Sequence, residues 1–498
     1  MSVGKIIVLA FVIISAIVFA IRMIYGYRKG MGKAIVSFVC VLLAALFTFL
    51  FASPLSNLVA GTDISGFGLE INGKKVSTAE EAAVYAVEGI GGETDSLGKE
   101  LMKNEVIATG VKKAPALIAS IVVGPLFFLI VYLVLRLIMV FACDPLLRLI
   151  TRKPEQRPNL TSKLVGMGVG LVSSVVFCGV LFMTSLGTVS IAAEADADIP
   201  VLKDVVDDFG GSAFAKVYSA LGFDSLGKAY MNAASSYTSE GENAKTVHLA
   251  DELSNAAKIY SKLKNSGAIS SDGSSSAASA IIADPELVYS VTDVFKESDL
   301  LKEALPVTAK YMISGADKGP AESSLAAKLD NVTNEQIDEL LEVYSIMDET
   351  GITDAIAEKD TQKLREIISD GDTAERLSKA VEDSELARAV VSDTVSSALR
   401  EYVIEGIAAS SWDEFDLDKL VDSISKADVD KLYDYPDQGA IVALVGNEKL
   451  TDYVKNYDRD AEGLDRSELK SVIVSVMEQY NIDGEALLEE AQKIRDSQ

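Results

Sequence analysis

The sequence predicts an all-α membrane protein: four transmembrane helices followed by a large acidic helical region outside the cell. Four long apolar runs fall before residue 190, the short loops between them are basic, and the rest of the chain is acidic with apolar residues at helical spacing. A mean hydropathy of +0.24 beside 24% charged residues is the average of these two unlike parts. The net charge of −27 excludes nucleic-acid binding, which needs lysine and arginine to displace phosphate counterions. All three cysteines (Cys40, Cys143, Cys178) lie in or beside apolar runs, and a cysteine-free tail fits either side of a membrane.

The expected spans are 5–25, 34–53, 115–143 and 163–189, with an external loop at 54–114. Each approaches or exceeds the roughly 20 residues that a helix needs to cross the hydrocarbon. The third contains Gly124-Pro125, where a missing backbone donor invites a kink. The first run reads as a retained span, because its apolar stretch is long and Arg22 stands where a cleavage site would need small residues. Arg22, Arg28, Lys29 and Lys33 make the first loop basic with no acid, and Arg148, Arg152, Lys153, Arg157 and Lys163 do the same for the third against Asp144 and Glu155. The second loop carries six lysines against nine acids. The basic loops face the cytoplasm, so the N-terminus, the second loop and the tail are expected outside. After position 188 there are 29 basic and 62 acidic residues.

Gly166, Gly170, Ser174 and Cys178 recur every four residues in the fourth span, and Gly168 and Gly179 thin it further. Such a stripe is a helix-packing face, since spans in lipid associate through close backbone approach. Arg136 reads as the only deep charge and lies close enough to the cytoplasmic end to snorkel. Without acids or histidine in the spans, ion-coupled transport is disfavoured.

The turn Tyr25-Gly26-Tyr27-Arg28-Lys29-Gly30-Met31 leads straight into the second span, and Ser162-Lys163-Leu164-Val165-Gly166-Met167-Gly168-Val169-Gly170 opens the fourth. Over residues 1–190 these segments resemble the colicin V production (CvpA-like) membrane proteins. Only Lys163 stands where that family often has a charged pair before the glycines, and compact members lack the long tail. The resemblance implies an envelope membrane protein and brings no catalytic residues.

In the second loop, Leu69-Glu70-Ile71-Asn72-Gly73-Lys74-Lys75-Val76 predicts a hairpin, because Asn-Gly tolerates the positive φ of a tight turn. Thr78 and Glu81 match a capping box for the helix that follows. The tail reads as successive helices, in regions 191–330, 331–410 and 411–498, with turns at Gly210-Gly211, Ser266-Gly267, Ser314-Gly315 and Gly371 and a flexible loop at Asn265–Ser279. Leu253, Ala256, Ala257, Tyr260-Ser261, Leu263 and Gly267 align with Ile337, Leu340, Leu341, Tyr344-Ser345, Met347 and Gly351, a shift of 84. Lys296–Leu300 resembles Glu382–Leu386 at a shift of 86, so two copies of one helical unit are expected.

Chemistry is sparse. His248 has no second histidine or cysteine nearby and reads as an exposed or capping residue, and Trp412 reads as a core anchor at a helix start. Asp458, Asp460, Glu462 and Gly463 occupy positions 1, 3, 5 and 6 of an EF-hand-like calcium loop, but position 12 is Leu469 where a bidentate carboxylate belongs. A polar turn before a helix capped by Asp465 is the simpler account. No phosphate loop, nucleophile elbow or thiol–histidine pair is present, and one tryptophan supplies few sugar-stacking platforms. The expectation is a non-enzymatic scaffold without cofactors, held in the lipid bilayer, oligomerising through its spans and offering stacked helices to a wall or surface-protein partner. A component of a transport or export system is the alternative, followed by a wall-active hydrolase.

Overall fold

A computed structural model describes residues 3–89, 97–139, 141, 158–195, 205–239, 244–267, 281, 284–314, 332–368, 370–409, 412–434 and 436–497. The basic stretch 148–157, Cys143, Gly315 and the expected loop from 268 to 279 lie outside these residues. The chain divides into two units: Met1–Ser261 with Ser298–Leu301, and Lys262–Glu297 with Lys302–Gln498. The boundary expected at residue 190 therefore falls inside the first unit.

The first unit begins with one helical run, α1 (Val3–Leu50), followed by α2 (Ala52–Ala60). Two short strands, β1 (Glu70–Ile71) and β2 (Lys74–Lys75), pair antiparallel around Asn72 and Gly73, whose φ values of 50° and 72° close the expected hairpin. Next come α3 (Ala79–Glu88), α4 (Leu97–Leu101), α5 (Glu105–Ile138) and α6 (Leu160–Ala195). Thr78 caps α3 by accepting from the Glu81 amide, while the Glu81 carboxylate takes the Ser77 amide, one residue earlier than a strict capping box.

Three helices, α1, α5 and α6, are long and apolar enough to cross a membrane, where four were expected. The difference lies in α1, which joins the first two expected spans into one run. That run is broken at Gly30, with φ 80° and ψ 176°, a region that only glycine occupies at low cost. The chain turns back there. Phe11 stacks on Phe182 at 4.0 Å, yet Cys40, Val41 and Ala44 belong to the same core as Phe177 and Phe182. Gly26 and Gly30 meet Gly166 at the start of α6, whereas Phe49 meets Tyr230 over Gly124, toward the end where Thr184 of α6 donates to the Ile121 carbonyl. The two arms of α1 are thus antiparallel.

α5 starts ten residues before the expected third span, because Asn104 caps it through the Ile107 amide, and it runs through Pro115 and Pro125. Half of the most apolar window of α6 is buried, against 11% in α1, so α6 is the central helix. The outer faces carry a belt of exposed Ile, Leu, Val and Phe, including Ile13, Ile17, Leu42, Leu46, Val122, Leu126 and Val172.

Beyond α6 the chain makes a π-helical turn at Val206–Gly210, then α7 (Ala213–Ala220) and α8 (Phe223–Ser235). α8 returns to the bundle. Its Tyr230 is fully buried, edge-on to Phe49 at 5.5 Å and seated over Gly124. A second small sheet, β3 (Tyr237–Thr238) with β4 (Thr246–Val247), was not expected, and it leads into α9 (Leu249–Asn265).

The second unit is built from α10 (Pro285–Lys296), α11 (Asp299–Ser314, whose first residues belong to the first unit), α12 (Asn334–Glu349), α13 (Ile352–Glu358), α14 (Thr361–Ile368), α15 (Gly371–Asp383), α16 (Glu385–Ala409), α17 (Leu417–Ser423), α18 (Lys426–Asp434), α19 (Pro436–Val445), α20 (Glu448–Asn456), α21 (Arg466–Tyr480) and α22 (Gly484–Ser497). Gly371, expected in a turn, opens α15 with Asp370 at the cap position. One core runs from Val343 to Ala491 and contains Trp412. The segments related by the shift of 84 end alike, since Gly267 (φ 76°) and Gly351 (φ 79°) both take the left-handed conformation that stops α9 and α12. Ser298 and Ser384, both buried, likewise cap α11 and α16 through the amides of Leu301 and Ala387.

Replacing Gly30 by alanine puts a Cβ 2.8 Å from Pro158 Cβ and 2.9 Å from Ser162 Oγ, at a backbone angle that side chains avoid. Thermal unfolding in detergent is expected to show a loss of about 1–3 kcal/mol, whereas Gly32→Ala, which meets nothing within 4 Å, leaves stability unchanged. In the second unit, burial pushes the Tyr480 phenol from 10.0 up to about 12, with its hydroxyl donating to the Val445 carbonyl at 2.9 Å. A raised folded pKa means that this stability is complete below the ordinary value and lost as pH rises through the folded one. Unfolding followed by Trp412 fluorescence is expected to weaken between about pH 10 and 12, and less steeply in Tyr480→Phe.

Candidate functional site

The interior of the bundle is shaped by glycine. A Cβ on Gly166 would stand 2.4 Å from the Gly26 carbonyl oxygen, and one on Gly170 would stand 2.5 Å from that of Arg22. Ser174 is fully buried with its hydroxyl donated to the Gly170 carbonyl at 2.7 Å, and Cys178 is buried one turn further on. Gly166 and Gly170 therefore lie along the first arm of α1 at backbone contact, with Ser174 buried one turn further along α6. Gly168 faces open space, while Gly179 receives the ring of Phe223 and Gly187 the backbone of Gly227 and Lys228. The fourth-span glycines thus serve two faces, one toward α1 and one toward α8.

This close approach carries Arg22 inward. The sequence places it in the first loop, but it lies in the first arm of α1, two turns before Gly30, and is 7% exposed. The apolar residues Met23 and Ile24 that resume after it are the signal that the helix has not yet ended. Its Nη1 donates to Ser173 Oγ at 2.5 Å. Its guanidinium lies 4.3 Å from the Phe177 ring centre and 4.8 Å from that of Tyr132. Arg136, one turn along α5, sits over Tyr25 at 5.2 Å and donates to the Tyr132 hydroxyl at 3.4 Å. Two guanidinium groups therefore share one tyrosine, and among the described residues neither meets a carboxylate.

The balance of energies is informative. Taking a cation out of water costs several kcal/mol even after relaxation. Two desolvated cation–π contacts of about 2 kcal/mol and one charged hydrogen bond of about 1.5–3 kcal/mol offset much of that. They leave the Nη2 group buried with no acceptor.

Among the described residues the other buried charge is Glu252, and it is satisfied. Its carboxylate accepts from the Ser298 hydroxyl and from the amides of Asp299 (2.9 Å) and Leu300 (3.3 Å), capping α11. Glu194 pairs with Lys228 at 2.7 Å and accepts from Ser254. His248 is exposed, 2.7 Å from Ser236 Oγ, and its carbonyl opens α9. Trp412 is buried against Gly406 and Phe415 in the core of the second unit. Asp458, Asp460 and Glu462 lie in an exposed turn in which Asp458 accepts the Asp460 amide at 2.9 Å, and Asp465 caps α21. Among the described residues no three or more His, Cys, Asp or Glu gather as a metal would require. An open groove of about 420 Å³ in the second unit is lined by Phe415, Leu417, Val474, Met477, Glu478, Asn481 and Ile482.

Compared with known proteins, the chain matches no family model, no curated protein and no solved structure.

Replacing Gly170 by alanine is expected to lower bundle stability by about 1–3 kcal/mol, with a larger loss for leucine. Gly168→Leu, whose side chain enters open space, is the matched control and leaves the melting temperature in place.

Proposed function

We propose that this protein is a multi-pass envelope membrane protein of the CvpA-like type, a non-enzymatic scaffold whose bundle holds an acidic helical domain outside the cell. The reversal at Gly30 carries the reading. Each arm of α1 then makes its own crossing, which with α5 and α6 gives four, and the turn between the arms is flanked by Arg28, Lys29 and Lys33. With that turn on the cytoplasmic side, the N-terminus and everything after α6 lie outside. The resemblance to the colicin V production proteins fits the same glycine contacts, since its motifs are the segments that meet at Gly26, Gly30, Gly166 and Gly170.

The scaffold reading is supported by how the second unit uses its carboxylates. They are spread over surface ion pairs such as Glu349–Arg376, Asp418–Lys470 and Glu490–Arg400, and over helix caps at Asp284, Asp416 and Asp465. A wall component or surface protein is the proposed partner, and the small-residue faces of the spans suit self-association. A second reading, a component of a transport or export system, is favoured by one observation, the buried and uncompensated Arg22.

Labelling of intact cells with a membrane-impermeant maleimide tests the arrangement. Lys74→Cys is expected to react from outside and Lys29→Cys only after permeabilisation, and the reverse pattern would sink the orientation. Full-length protein in nanodiscs is expected to retain wall fragments or surface proteins, and the absence of both together with solute flux in proteoliposomes would favour the transport reading.

A further inference from the structure

We propose that Arg22 and Arg136 form a binding site for a small oxyanion, a phosphate or carboxylate group, inside the membrane bundle. The inference rests on the interior of the bundle alone and stands or falls separately from the scaffold reading.

Four observations converge. Arg22 is more than nine-tenths buried, and its Nη2 group has no acceptor. Arg136 shares Tyr132 with it, one guanidinium over the ring and the other on the hydroxyl, so two positive charges meet on one side chain. Among the described residues no carboxylate stands against either of them. Ser173, which accepts from Arg22 Nη1, is itself buried, as is Ser174 beside it in α6.

A buried cation with a second, half-buried one beside it and no counter-charge is stabilised by whatever anion can reach it. The guanidinium fork selects the shape of that anion. Its coplanar N–H groups match two oxygens of one phosphate or carboxylate, a fit that a spherical halide does not reproduce. Ser173 fixes the Nη1 end of the fork and the two rings fix its plane, which leaves Nη2 as the donor for the ligand. Arg136 lies in the last turn of α5, closer to the basic loops, where the helix dipole favours a cation. It supplies the second contact on the way in from that side. The oxyanion can come from a free anion or from a phospholipid headgroup, because basic pockets between transmembrane helices take both.

The test uses full-length protein purified in a phosphate-free maltoside detergent. Thermal unfolding is compared at matched ionic strength in sodium chloride, sodium acetate and sodium phosphate, and with added short-chain phosphatidylglycerol. Wild type is expected to melt higher in at least one oxyanion than in chloride. A response to phosphatidylglycerol alone identifies a headgroup, and a response to inorganic phosphate or acetate identifies a free anion. Arg22→Lys keeps the charge but not the fork, and is expected to bind the same probe about tenfold to a hundredfold more weakly. Arg22→Met abolishes the response, yet melts no lower than wild type in chloride, because the contacts it gives up are offset by the desolvation cost of a buried charge without a counter-charge. Arg136→Met keeps a reduced response. Equal melting of wild type in all four solutions would overturn the site. So would an Arg22→Met protein that folds and responds to oxyanions as wild type does.

Discussion

Backbone contact between α1 and α6 sets the spacing of everything else in the bundle. Because Gly26 and Gly166 approach without side chains between them, the first arm lies along the central helix at a separation that no larger residue would permit. That closeness brings Arg22 over Phe177, and the chain reversal at Gly30 brings the second arm back along the same core. Lipid gives such helices no hydrophobic reason to associate, so interdigitation of small residues carries the association. The wide apolar belt is left to face the acyl chains.

The same contact explains what could and could not be read in the sequence. Long apolar runs are a one-dimensional property, so the existence of membrane-length helices was legible, as was the Asn72-Gly73 hairpin. The standing of Arg22 was not, because hydropathy counts an arginine at the edge of an apolar run as the end of that run. Met23 and Ile24 hint that the run continues past it, and the partner helix, with its glycines in register, shows why the arginine turns inward. Element boundaries failed for related reasons. α5 begins at a polar cap, Asn104, well before its apolar stretch, and Gly371 sits inside a helix because Asp370 ahead of it takes the cap position. α8 was missed as a bundle element because an amphipathic helix in an acidic stretch gives no sign of which surface it will meet.

The second unit is organised by a different rule. Its helices are short, and their ends are held by side chains that leave few carboxylates converging on one place. Ser384 caps one helix from a buried position, Asp416 and Asp465 cap others, and Gly351 stops another by taking a left-handed turn. Ser298 and Gly267 end their helices by the same two devices. A region built this way has its acidity distributed over its surface.

The return of α8 to the bundle also gives assembly a direction. Gly124, Gly179 and Gly187 form three notches, filled by Tyr230, Phe223 and the backbone at Gly227 and Lys228. All of the fillers are translated after the last membrane helix has left the ribosome. Until they arrive, the inserted bundle carries open backbone seams where other helices could lodge. Completion of the bundle thus waits on the segment that follows α6.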